Sequence, residues 1–256
     1  MTAKNETAHE EGRMPLSGHL RELRNRLIIV LIVWFVFVVV SLRFAPAIVT
    51  ALTDLGSSLG YRFVYLAPQE LLMVHVSISV ICGFVLAAPV FVYHAYGFCS
   101  PGLTEKEKRF TRIALLSGTV CFLLGVLFAR FISLPFMLRF LIQFTDGVNI
   151  AASISIGQYV SFLLTVFIIF GMVFELPVVT VLLTALGIIR VEWLIRGRKL
   201  IIVLIFFLAA LITPPDVASQ IMVAIPMIFL YQISIVLCRL VSSKKKTESD
   251  SSVKTD

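Results

Sequence analysis

Between Leu27 and Cys238 the chain is built from apolar stretches separated by short polar connectors, and this layout constrains the fold more than any other feature. A membrane-spanning helix needs about 20 mostly apolar residues. Six stretches are candidates, at about 27–42, 71–96, 113–132, 159–186, 200–212 and 217–238. Hydrophobic residues make up 59% of the 256 residues and charged residues only 14%, against about 45–50% and about 25% in a soluble domain. The expected fold is all-α: a polytopic membrane protein with residues 1–242 as one six-helix domain. The Lys/Ser/Thr-rich segment 243–256 is expected to be a disordered tail.

Two details qualify that layout. The fifth stretch has 13 uncharged residues, which as a helix cover about 20 Å of a hydrocarbon core about 30 Å thick. The turn Thr213-Pro214-Pro215-Asp216 stops it sharply. The connectors Phe44–Leu59 and Leu134–Phe144 have helix-like apolar spacing broken by Pro46, Pro135 and Gly147. They are expected to lie as short helices over the outer face.

The basic residues give the orientation. The N-terminal tail, the 97–112 and 187–199 loops and the C-terminal tail together hold 18 Lys and Arg, and the alternate connectors hold 4. The positive-inside rule therefore puts both termini in the cytoplasm. The net charge of +7 is spread beside apolar segments and forms no continuous patch, which argues against nucleic acid as a partner. The first 26 residues are polar and carry Glu6, Glu10 and Glu11. No cleavable signal peptide is expected, and the first apolar helix has to direct insertion. Cys82, Cys99, Cys121 and Cys238 form no CxxC pair and read as reduced packing residues.

Four places carry candidate chemistry. Glu175 interrupts the apolar run Tyr159–Ile189 in the sequence Phe174-Glu175-Leu176-Pro177. A carboxylate at that depth costs a few kcal/mol and is by default functional, with a structural contact between helices as the alternative. Pro177 frees a carbonyl about one turn earlier and bends the helix. At the N-terminus, Leu16, Leu20, Leu23 and Leu27 make an amphipathic face, with Glu22 among Arg21, Arg24 and Arg26. One reading is an interfacial helix in which Glu22 pairs with Arg26 at i,i+4. After the second stretch, Pro101-Gly102 forces a turn, and Thr104 with Glu107 makes a capping box; Phe98 reads as packing at the membrane edge. Glu70 and Asp216 stand at or just before helix N-termini, where they oppose the dipole. His75 and His94 are too far apart on one helix to share a metal, and no Walker loop, Ser/His/Asp set or HExxH occurs. Neither enzymatic activity nor a cofactor is expected.

These segments resemble the TatC family, the C subunit of the twin-arginine protein translocase. The resemblance covers roughly residues 16–240. It rests on HLRELRNRL at the N-terminus, FCSPGLTEKEKR after the second stretch, FELPV in the fourth and TPPDVASQIMVAIPM leading into the sixth. It implies a bent, glove-like bundle in a bacterial cytoplasmic (inner) membrane. It also implies a receptor that binds signal peptides with consecutive arginines and hands folded cargo to small single-span TatA/TatB-type subunits, driven by the proton gradient. The receptor would sit as a homo-oligomer in a larger complex. Carried over, Glu22 and Glu107 would receive the arginine pair, with Arg24, Phe98 and Pro101 in the same surface. Glu175 would face the concave side. Pro46, Asp216, Gln220 and Gln232 match positions tied to assembly and transport, although many members have Glu where this chain has Gln232. Two rivals remain: a secondary transporter using Glu175 as its ion site, for which no inverted repeat is evident, and an intramembrane enzyme.

Overall fold

The N-terminal helix, α1 (Leu16–Ser57), is 42 residues long. At 1.5 Å per residue that is about 63 Å, twice the hydrocarbon thickness of about 30 Å. The computed structural model describes residues 16–99, 105–143, 153–212 and 217–253. The separate outer helix expected over Phe44–Leu59 is instead the continuation of α1, with Pro46 inside it. Proline removes only one backbone hydrogen bond, and its neighbours hold the helix together. Ala45, Val49 and Leu52 are buried, and the hydroxyls of Thr50 and Thr53 donate to the carbonyls of Pro46 and Val49 at 3.1 and 3.0 Å.

A turn at Gly60 (φ +97°) leads into β1 (Arg62–Val64), followed by α2 (Glu70–Cys99). α2 returns along α1 in the most extensive helix pair of the fold, where the Trp34 indole donates to the Val80 carbonyl at 3.2 Å. α3 (Glu105–Phe128) runs without a break through a π-helical turn at Ala129–Ser133 into α4 (Leu134–Gln143). The expected boundary near 132 is thus a change of helix type. Pro135 explains it: its ring would meet the carbonyl one turn back, and a widened turn relieves that crowding. α4 buries Leu134, Met137 and Leu138 on one face.

β2 (Ser153–Ser155) pairs in parallel with β1, matching Arg62 to Ser153, Phe63 to Ile154 and Val64 to Ser155. The chain then enters α5 (Ile156–Phe174), capped by Ser155, whose side chain accepts from the Gln158 N–H at 3.2 Å. Glu175 is at once the last cap of α5 and the first of α6 (Leu176–Ala185), with Pro177 opening α6. The helix is thus interrupted where Pro177 was expected to disturb it. α7 (Val191–Arg196), α8 (Arg198–Ile212) and α9 (Val217–Val253) complete the described chain. α9 continues past residue 243, where the tail was expected to lose structure, because no Gly or Pro follows Pro226 to stop it.

Among the described residues, five segments are long and apolar enough to cross a membrane: Leu20–Ser57, Glu70–Phe98, Lys108–Gln143, Ile156–Ala185 and Gln220–Ser243. α8, the expected fifth span, has 15 residues and reaches about 22 Å. The core lies where α5, α8 and α9 meet, around Leu163, Val166 and Phe170 of α5, Ala209 of α8, and Val223 and Met227 of α9. The outward faces are equally apolar. Ile32, Phe35 and Val39 of α1 and Leu116, Val120 and Leu127 of α3 are exposed at helical spacing, as a lipid-facing surface requires.

Candidate functional site: an ion pair at one end and a carboxylate in the interior

At the start of α1 the guanidinium of Arg26 donates from Nε and Nη2 to Oε1 of Glu22, at 2.9 and 2.6 Å. Helical spacing of i,i+4 makes the two side chains neighbours. The pair is not free in solvent, since only 24% of the Glu22 side chain and 26% of the Arg26 side chain is exposed. The reason is α2. Gly97, near its end, presents bare backbone to the guanidinium, and a Cβ there would overlap Arg26 Nη1. Phe98 follows, half-buried, while Arg24 is exposed.

Arg112 of α3 donates to the Tyr96 hydroxyl at 3.3 Å and lies over that ring, 5.4 Å from its centroid. This contact holds the beginning of α3 beside the end of α2. Glu107 belongs to the first turn of α3, so its backbone is at the same end of the bundle as Glu22. The side chain of Glu107, and Pro101 entirely, lie outside the described residues.

The second candidate is separate. A cavity of about 1000 Å³ is walled by α1, α2, α3 and α5, with Trp34, Phe44, Ile78, Thr119 and Phe167 among its lining. Trp34 is about 18 Å along α1 from Glu22. Among the described residues Glu175 is the one ionisable carboxylate on its wall. Among the described residues no hydrogen bond or ion pair reaches that carboxylate. The Thr119 hydroxyl is also buried without a partner among them. Polar groups so placed mark a surface meant for something other than lipid.

The remaining candidates are dispersed. Gln220 donates to the Phe206 carbonyl at 2.8 Å and ties α9 to α8. Pro46 and Gln232 are exposed on α1 and α9. Asp216 lies outside the described residues. No group of three or more His, Cys, Asp or Glu able to hold a metal occurs among the described residues.

Sequence reasoning missed two features. Gly97 carries no signal of its own, because its importance comes from an arginine 71 positions earlier. Glu70 was read as a helix cap, and it does more. Its carboxylate accepts from the N–H groups of Leu66 (2.6 Å) and Ala67 (3.4 Å), from Gly157 N–H (2.7 Å) and from the Ser155 hydroxyl. It therefore fastens the start of α2 to the start of α5. Nearby, the buried Tyr61 hydroxyl donates to the Leu138 carbonyl at 3.0 Å, and burial pushes the phenol above its ordinary pKa.

Comparison with known proteins agrees with this architecture. Residues 18–226 match the family model for TatC, the Sec-independent protein translocase protein. The Sec-independent protein translocase protein TatC of Aquifex aeolicus (strain VF5) is 39% identical over 236 residues, covering 91% of this chain and 98% of that protein. Its counterpart in Desulforapulum autotrophicum is 36% identical, over 97% of this chain and 95% of the relative. A crystal structure of the twin-arginine translocase receptor TatC superposes with a TM-score of 0.79 at 37% identity, over 88% of this chain and 99% of that one. On the family-model match, the identity over nearly the whole chain and the superposition together, the chain belongs to the TatC family of Sec-independent protein translocase proteins.

Proposed function

We propose that this chain is the signal-peptide receptor of a twin-arginine translocase in a bacterial cytoplasmic (inner) membrane. Residues 1–242 form one membrane domain crossing six times, with α8 and its flanking residues as the fifth crossing and both termini in the cytoplasm. Glu22 and Glu107 receive two consecutive arginines of the signal peptide, within a surface that includes Arg24, Phe98 and Pro101. A carboxylate accepts the planar fork of an arginine through two parallel bonds, and an ammonium cannot reproduce that geometry. Charged hydrogen bonds contribute about 1.5–3 kcal/mol each, enough for two carboxylates to separate a paired-arginine leader from one with a single arginine.

The observation that supports this most is the ion pair itself: Glu22 already holds a guanidinium at the end of the bundle where α3 begins. Glu175 serves a step after docking. Pro46, Asp216, Gln220 and Gln232 take part in assembly with further copies and with small single-span TatA/TatB-type subunits. The proton gradient drives transport. The deciding experiment is photocrosslinking from position 107 to a precursor bearing Arg-Arg or Lys-Lys. The expected result is labelling of the first and little of the second. Equal labelling would refute the assignment.

A further inference from the structure

Residues 186–197 join the end of the candidate span Ile156–Ala185 to the start of α8, which puts them at a membrane surface. Gly187, at φ +78°, turns the chain there. α7 is then held from beneath. Its Val191 and Leu194 belong to the core, and the Tyr231 hydroxyl of α9 donates to the Leu194 carbonyl. The side chains it leaves outside are therefore presented at a fixed place. Arg190, Arg196, Arg198 and Lys199 are all exposed, against one acid in the segment, Glu192. Among the described residues none of these four side chains is in an ion pair or a hydrogen bond. Trp193 and Leu200 stand between and beside them, 58% and 74% exposed. Along α8 the exposed apolar surface continues through Leu204, Phe207 and Leu211.

We propose that the corner between α7 and α8 is a binding site for an anionic phospholipid of the surrounding bilayer. Its phosphate lies against Arg196, Arg198 and Lys199, and its acyl chains lie along the exposed face of α8. Unpaired like charges held close together repel one another and draw in an anion. A small soluble anion would neutralise them but would leave Trp193 and Leu200 in water. An amphipathic indole beside long basic side chains is instead the composition of a membrane interface, and clustered Lys and Arg next to a spanning helix favour anionic headgroups. The length of α8 fits the same reading. It reaches about 22 Å against a hydrocarbon core of about 30 Å, and a lipid fastened at its first turn sets the level of the bilayer surface where the short helix needs it. The proposal is independent of the receptor reading, since it requires only that this corner meet lipid.

The chain has two tryptophans, Trp34 and Trp193, so Trp34→Phe leaves Trp193 as the only reporter. With Trp34 kept in place, the difference between wild type and Trp193→Phe isolates the same signal. The full-length protein is reconstituted in mixed phosphatidylglycerol and phosphatidylcholine vesicles, with brominated acyl chains on one lipid or the other. Quenching of Trp193 then reads the relative affinity of this corner for the two lipids. The expected result is a preference of about fivefold for phosphatidylglycerol, which shrinks in about 1 M salt. R196Q/R198Q/K199Q is expected to abolish the preference, and Arg196→Gln alone to lower it partway. K244Q/K245Q/K246Q removes the same charge from another stretch of the chain and should leave the preference intact. Equal quenching by the two lipids in the protein with its basic residues in place overturns the site. So does an unchanged preference in both Arg196→Gln and R196Q/R198Q/K199Q. An equal loss in the two triple variants overturns it as well, because net charge would then suffice.

Discussion

Gly118 of α3 leaves the space that the Glu175 carboxylate fills. A Cβ on Gly118 would stand 2.8 Å from Glu175 Oε2 and 3.3 Å from Oε1. The obstructing atoms are the far end of a flexible side chain, so a methyl there moves the carboxylate without forcing the helices apart. Gly118→Ala is therefore expected to fold and insert normally, to dock precursor normally, and to lower transport severalfold. Docking is read by crosslinking and transport by protease protection of the cargo. Full transport would mean that the carboxylate's position does not matter.

Glu175→Leu removes the charge from the same wall. It is expected to raise thermal stability slightly, because an unpaired carboxylate no longer has to be held in an apolar cavity. It should impair the step after docking at least as much as Gly118→Ala. Normal transport by this variant would make Glu175 a structural residue.

Glu70→Gln keeps the shape of this fastening but turns half of an acceptor into a donor that faces other N–H groups. Amide exchange is expected to accelerate at 62–67 and 153–157 and to stay unchanged at the α5–α9 core. Exchange that rose evenly along the chain, or nowhere, would show that the carboxylate does not fasten these segments.

Tyr61→Phe and Tyr159→Phe each delete one buried hydroxyl that reaches a backbone carbonyl of a distant element, Leu138 and Leu52 respectively. Each is expected to destabilise by about 1 kcal/mol. The two losses are expected to fall short of additive, because both tyrosines secure the same corner of the fold. Thermal unfolding of the single and double variants measures this.

The sequence carried the helices well where apolar length alone decides the matter. The spans in α2, α5 with α6, and α9 were legible, and so was the break at Glu175, since Pro177 enforces it locally. Pro46 and Pro135 looked like helix ends and are not. Whether a proline ends a helix depends on packing further along, and the burial of Val49 and Leu134 is a tertiary fact. The strands 62–64 and 153–155 were invisible, because three residues show no alternation and the partner is about 90 positions away. At the candidate site, the Glu22–Arg26 pair followed from helical spacing alone. The notch at Gly97 did not, because it exists only once α2 lies against α1.

The parallel strand pair and the Glu70 carboxylate join two connectors that the intervening helices α2, α3 and α4 keep far apart in sequence. Pulling the start of α2 away from the start of α5 would therefore break backbone pairing and the carboxylate's bonds together, so those two helix ends move as a unit or not at all.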